Sequence, residues 1–82
     1  MWALEYNQEA SNYALDSYPY NEEVLMAIES LAMTPEGLPT EAYIQLEPEY
    51  YLWEIAQHTV IFRRIVDETL RLRILVIKPS ND

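Results

Sequence analysis

Residues 58–78, HTVIFRRIVDETLRLRILVIK, form two apolar runs separated by Asp67-Glu68-Thr69, and they hold every Lys and Arg of the chain: Arg63, Arg64, Arg71, Arg73 and Lys78. Runs rich in β-branched residues, bounded by short polar stretches, make strands, so the segment predicts a hairpin. A three-residue loop at 67–69 pairs Val66 with Leu70, Ile65 with Arg71 and Arg63 with Arg73. Arg63, Arg71 and Arg73 then share one face. The reverse face carries Val60, Phe62, Val66, Leu72, Ile74 and Val76, a set suited to packing beneath a helix, while Arg64 snorkels from the helix side or near the edge. A loop one residue longer or shorter would exchange the partners.

Before this hairpin, AYIQLE and YYLWEIA read as two further strands separated by Pro48, so the second half is an antiparallel meander. TPEGLPT holds the single Gly and two of the prolines, and its Thr34-Pro35 step stops the preceding helix because a residue before proline disfavours helical angles. That helix, EEVLMAIESLAM, is read as capped by Asn21, with Glu22 and Glu23 at its positive end. Its Val24, Leu25, Ile28, Leu31 and Ala32 form one buried stripe. A shorter helix in NQEASNYALDS is capped by Asn7 and ends before Pro19. WALEY opens the chain as a short strand, with Trp2, Leu4 and Tyr6 on one side. The order is strand, helix, helix and then three or four strands, β-α-α-β-β-β in its shortest form. It predicts an α+β domain with two N-terminal helices on one face of a mainly antiparallel sheet. Residues 1–82 make one domain, and the final PSND, 79–82, reads as a frayed tail.

Composition narrows the function classes. Residues 1–62 contain 11 acids and no Lys or Arg, whereas residues 63–82 contain five bases and three acids, for a net charge of -9. Such a surface repels phosphate backbones and anionic lipid, which disfavours nucleic acid and membrane as partners and favours a protein or peptide. There is no cysteine, hence no thiolate zinc site or thiol nucleophile, and a reducing cytoplasm is the default compartment. The start, MWALE, lacks a signal peptide's basic n-region, and no apolar run approaches bilayer length. No Gly-rich phosphate loop, zinc spacing or Ser/His/Asp arrangement occurs, so no cofactor and no metal are expected. The adjacent acids of Glu47-Pro48-Glu49 and Glu22-Glu23 lack a second ligand cluster.

The details that fill this order resemble the RelE/ParE superfamily of small bacterial toxin-fold proteins over roughly residues 2–78. WALEYNQEA is similar to the family's opening strand and first helix, and LAMTPEG to the Pro-containing end of its helical hairpin. YYLWEIAQHTVIFRRIVDETLRLRILVIK is similar to its closing strands, with "vIyrivDe" ahead of the last one. The resemblance implies that fold and a toxin–antitoxin setting. In the family's ribonuclease branch, two basic residues on the strand matching YYLWEI polarise the scissile phosphate, and here their places fall near Leu52 and Glu54. A family arginine falls near Thr59, and the C-terminal basic residue and tyrosine lie beyond Asp82. Stabilising a phosphorane-like transition state needs fixed positive donors, and Glu54 supplies the opposite charge. The resemblance therefore implies the fold without the ribonuclease.

The candidate partner-binding residues are Arg63, Arg71, Arg73, Tyr51 and Trp53. The three arginines either meet an external anion or pair with the chain's own carboxylates, Glu54 among them. Facing guanidinium groups at Arg63 and Arg73 favour an anion between them. Tyr51 and Trp53 share parity and either stand beside the arginines as hot-spot aromatics or pack in the core. His58 is either a general base or a partly exposed turn histidine. Three functions are consistent with these residues. One is a protein-interaction module of the RelE/ParE type, without ribonuclease activity, engaging a peptide-like partner or a second copy. Another is a diverged toxin that cleaves ribosome-bound mRNA with Arg63, Arg71, Arg73 and His58. The third is an acidic mimic that occupies a basic protein's nucleic-acid site.

Overall fold

The structure, a computed structural model, describes residues 1–80. Its elements are β1 (Ala3–Tyr6), α1 (Gln8–Asp16), α2 (Glu22–Ala32), β2 (Tyr43–Glu47), β3 (Tyr50–Ile55), β4 (His58–Val66) and β5 (Leu70–Pro79). Four strands follow the helices. The five strands form one mixed sheet in the order β1-β5-β4-β3-β2. All pairings are antiparallel except β1 with β5, which is parallel. The chain thus leaves one sheet edge at β1, passes through both helices, and returns to β1's side by way of the meander.

The β4–β5 hairpin has the register its alternation requires: Val66 faces Leu70, Ile65 faces Arg71 and Arg63 faces Arg73. A bulge intervenes farther along. Phe62 pairs Ile74 but Ile61 pairs Val76, so Leu75 is one extra residue on β5, and an extra residue inverts the parity of all that follows. Val76 therefore leaves the helix side, and Ile77, 3% exposed, takes the place in the core that simple alternation assigns to Val76. Val66 keeps the parity of the expected apolar face, but at the far end of β4 it lies beyond the helices' cover and is 55% exposed.

One apolar cluster joins the helices to the sheet. Val24, Ile28, Leu31 and Ala32 of α2 and Ala10 of α1 meet Tyr51, Trp53, Val60, Phe62, Leu72, Ile74 and Ile77 from the sheet, with Trp2 beside them. Phe62 lies at its centre, stacked with Tyr51 at 5.5 Å and meeting Trp53 edge-on at 6.5 Å between ring centroids. Gly37, at φ 65°, closes over the Trp2 indole, where an added Cβ would stand 2.7 Å from Cε2. That close approach is why the chain's single glycine sits there.

The helix caps differ from each other. Asn7 Oδ1 accepts from Ala10 N at 3.0 Å and caps α1 as its position predicts. Asn21 does not cap α2 with its side chain. It is fully buried, and its Nδ2 donates to the carbonyls of Tyr13 and Ala14 at 3.0 and 2.8 Å. It serves the C-terminal end of α1, adding a second donor to the Tyr13 carbonyl, which already accepts from Ser17 N, and a donor to Ala14 O in the last turn, where intrahelical partners run out. The expected frayed tail is also corrected in part. Pro79 pairs with His58 in the sheet and Ser80 N donates to Gln57 O, while 81 and 82 lie outside the described residues. Among the described residues no helix is long and apolar enough to cross a membrane.

Candidate functional site

The sheet face turned away from the helices is built in rows, because directly paired residues on neighbouring strands point to the same side. One row is apolar: Ile44, Leu52, Ile61 and Val76, contributed in turn by β2, β3, β4 and β5. Leu52, Ile61 and Val76 are half-buried by their neighbours, and Ile44 on the edge strand is exposed. The adjoining row is polar: Glu47, Tyr50, Arg63, Arg73 and Glu5. Ile65 and Arg71 follow on the far side. Lys78 lies beyond the apolar row, paired with Thr59.

Arg63, Arg71 and Arg73 are therefore together on one face. Tyr51 and Trp53 are not with them: at 7% and 3% exposed they belong to the core. The register explains this, since Tyr51 pairs Phe62 and Trp53 pairs Val60, both fully buried beneath the helices. The aromatic that stands on the arginine face is Tyr50. The Arg63 guanidinium lies over its ring, 5.3 Å from the centroid, a cation–π geometry.

The arginines differ in what they meet. Glu5 accepts from Arg71 Nη1 at 3.2 Å and from Arg73 Nε and Nη2 at 3.2 and 3.1 Å. The hydrogen bond from Arg71, with that from Arg73 and both positive charges, holds the Glu5 carboxyl below its ordinary range. Arg71 Nη2 also reaches Asp67 Oδ2 at 3.1 Å. Asp67 is lowered chiefly by the backbone N–H of Thr69, 2.9 Å from Oδ1, and next by Arg71. Arg71 is raised by the same partners, Glu5 first. The carboxylates that engage these arginines are thus Glu5 and Asp67, whereas Glu54 meets Thr59 Oγ1 at 3.4 Å. Arg64 faces the other way, over Trp2 at 5.1 Å, with Nη1 donating to Glu49 at 2.7 Å and Nε to Glu36 O.

Among the described residues the ion pairs belong to Arg64, Arg71 and Arg73, and Arg63 and Lys78 have no carboxylate. Arg63 Nε is also buried without a hydrogen-bond partner, a state that costs about 1–3 kcal/mol for a polar group and more for a charged one. Arg71 Nε is in the same state, so what sets Arg63 apart is the lack of a carboxylate on its guanidinium.

The three positions that matter to the ribonuclease comparison, Leu52, Glu54 and Thr59, share this open face. They contribute an apolar group, a carboxylate and a hydroxyl. His58 lies on the opposite side. It is 6% exposed, beneath α1, and hydrogen-bonded at Nε2 to Tyr13 Oη at 2.6 Å and at Nδ1 to Ala56 O at 2.8 Å. It is neither a partly exposed turn residue nor within the arginine group, so the set Arg63, Arg71, Arg73 and His58 does not converge. Among the described residues no group of three or more His, Asp or Glu side chains is placed to hold a metal ion. No protein-family model, curated protein or solved structure matches this chain.

Proposed function

We propose that this chain is a RelE/ParE-like protein-interaction module without ribonuclease activity, and that its open sheet face receives a peptide-like segment of another protein. The observation that carries this reading is Arg63: a guanidinium held over the Tyr50 ring, without a carboxylate among the described residues, beside a four-strand apolar row. The complementary segment is extended, with apolar side chains over Ile44, Leu52, Ile61 and Val76 and one carboxylate on Arg63. Charge complementarity supplies register and the apolar row supplies affinity. The family assignment is supported by the order strand, two helices, four strands. The absence of ribonuclease chemistry is supported by Leu52, Glu54 and Thr59 where the family's phosphate-binding cations would stand.

Panning a displayed peptide library against the protein tests the reading. Enriched peptides are expected to alternate apolar residues around one Asp or Glu, to lose binding with Ile44→Asp, and to bind Arg63→Gln about tenfold more weakly. Enrichment indifferent to both substitutions would overturn it. Self-association abolished by Ile44→Asp would assign the face to a second copy instead. A diverged mRNA-cleaving toxin is the second reading, favoured by the placement of Arg63, Arg71, Arg73 and Lys78 on one face. It requires growth arrest on expression that Arg73→Ala abolishes, and the absence of arrest excludes it.

A further inference from the structure

On the helix side, away from the arginines, a cleft of about 1060 Å³ opens between the turn joining α1 to α2 and the β3–β4 turn. Ala56 and Gln57 form that second turn at φ 54° and 61°, a left-handed pair that L-residues adopt only at a cost. The turn directs Ala56 O onto His58 Nδ1. A carbonyl only accepts, so Nδ1 carries a proton, and in the neutral ring Nε2 is the acceptor. The Tyr13 hydroxyl must then donate its single hydrogen to Nε2. What Tyr13 keeps for any third group is its oxygen lone pairs.

Asp16 and Glu23 also line the cleft, no Lys or Arg does, and neither acid has an ion-pair partner among the described residues. Tyr18 and Tyr20, 72% and 86% exposed, stand with Pro19 at the mouth. The cleft combines an acceptor floor, two unneutralised carboxylates and exposed π faces. Each favours a positively charged N–H donor, and the aromatic faces also favour an apolar stem. We infer that this cleft binds an organic cation, an ammonium or guanidinium head carried on an apolar stem. Free amines and the Lys or Arg side chain of a basic protein both present that chemistry.

Three probes separate the possibilities: benzylamine, its uncharged analogue benzyl alcohol, and a capped alanine peptide with one arginine. Each is titrated into isotope-labelled protein while the ring signals of His58 and the amide of Gln57 are followed by NMR. Benzylamine or the peptide is expected to give saturable shifts below about 10 mM, and benzyl alcohol none. The tighter of the two cations identifies the source as a free amine or a protein side chain. The double variant Asp16→Asn/Glu23→Gln is expected to weaken binding about tenfold or more with unfolding temperature unchanged. Tyr13→Phe, which keeps the ring and removes the lone pairs, is expected to weaken it as well. No saturation by either cation, equal binding of benzyl alcohol, or affinity unchanged in the double variant would each overturn the inference.

Discussion

Glu5 engages both Arg71 and Arg73, and its carboxyl is held below its ordinary value of 4.5 by those hydrogen bonds and charges. A lowered folded-state pKa means that the charged form is bound more tightly in the native state than in the unfolded chain. The resulting stabilisation is fully present above the ordinary value and is lost as pH falls through the lower, folded one. Asp67, lowered from 3.8, acts in the same direction. Glu5→Gln is therefore expected to lower the urea midpoint at neutral pH, and its difference from the wild type to close as the solution is made more acidic than the ordinary carboxylate range. Chemical denaturation across that pH span measures it. A difference independent of pH would mean that Glu5 acts through packing and not through its charge. The pairing of Arg63 with Arg73 is legible in the alternation of residues 58–78, but the identity of the carboxylate is not. Glu5 is 68 residues from Arg73 in sequence, and it arrives through the parallel β1–β5 contact, which no local periodicity encodes.

The strands and helices illustrate a second limit on reading elements from pattern. Element types and order follow from apolar spacing, and Phe62, Leu72 and Ile74 fall on the core face by alternation alone. The β5 bulge does not: a single extra residue, Leu75, places Val76 on the open side and Ile77 in the core. The tight turn at Ala56-Gln57 carries neither the Asn nor the Gly that such a turn favours, so the strand break is legible there but the two-residue turn that sets its register is not. Tyr51 and Trp53 share parity, as their spacing indicates, but which face that parity meets depends on the β3–β4 register that this turn sets. Asn21 shows the same ambiguity at a helix end. An Asn just before an acidic helix start reads as an N-cap, yet here the side chain turns back to the carbonyls of Tyr13 and Ala14. It thereby joins two elements that otherwise meet through a short turn. Asn21→Ala removes two buried hydrogen bonds and is expected to cost about 1–3 kcal/mol in the urea unfolding free energy. Asn7→Ala loses one cap bond, with a cost of about 1 kcal/mol. Equal losses for the two variants would show that the α1–α2 connection does not depend on the Asn21 amide.

Across the molecule, charge separates the two candidate surfaces. The bases on the open sheet face are confined to residues 63–78, the first 62 residues carry 11 acids, and the total is -9. A cation approaching the cleft is drawn by Asp16 and Glu23 and by the field of the whole chain, so local and long-range terms have the same sign. A carboxylate approaching Arg63 is attracted at contact but repelled by the net charge at a distance. Salt screens the long-range part first, because the Debye length falls to about 10 Å near 0.1 M and about 3 Å at 1 M. Binding of benzylamine at the cleft is therefore expected to weaken severalfold between about 0.05 and 0.5 M NaCl. Binding of an apolar peptide with one carboxylate at the open face is expected to change by less than about twofold, since screening relieves repulsion while it weakens the Arg63 contact. Calorimetric titrations at the two salt concentrations compare them directly. If adding acidic residues to the open-face peptide strengthens binding at low salt, the field of the arginines outweighs that of the surrounding carboxylates. Glu5 and Asp67 would then not neutralise Arg71 and Arg73 as seen by a partner, and the site would extend from Arg63 to the whole arginine group.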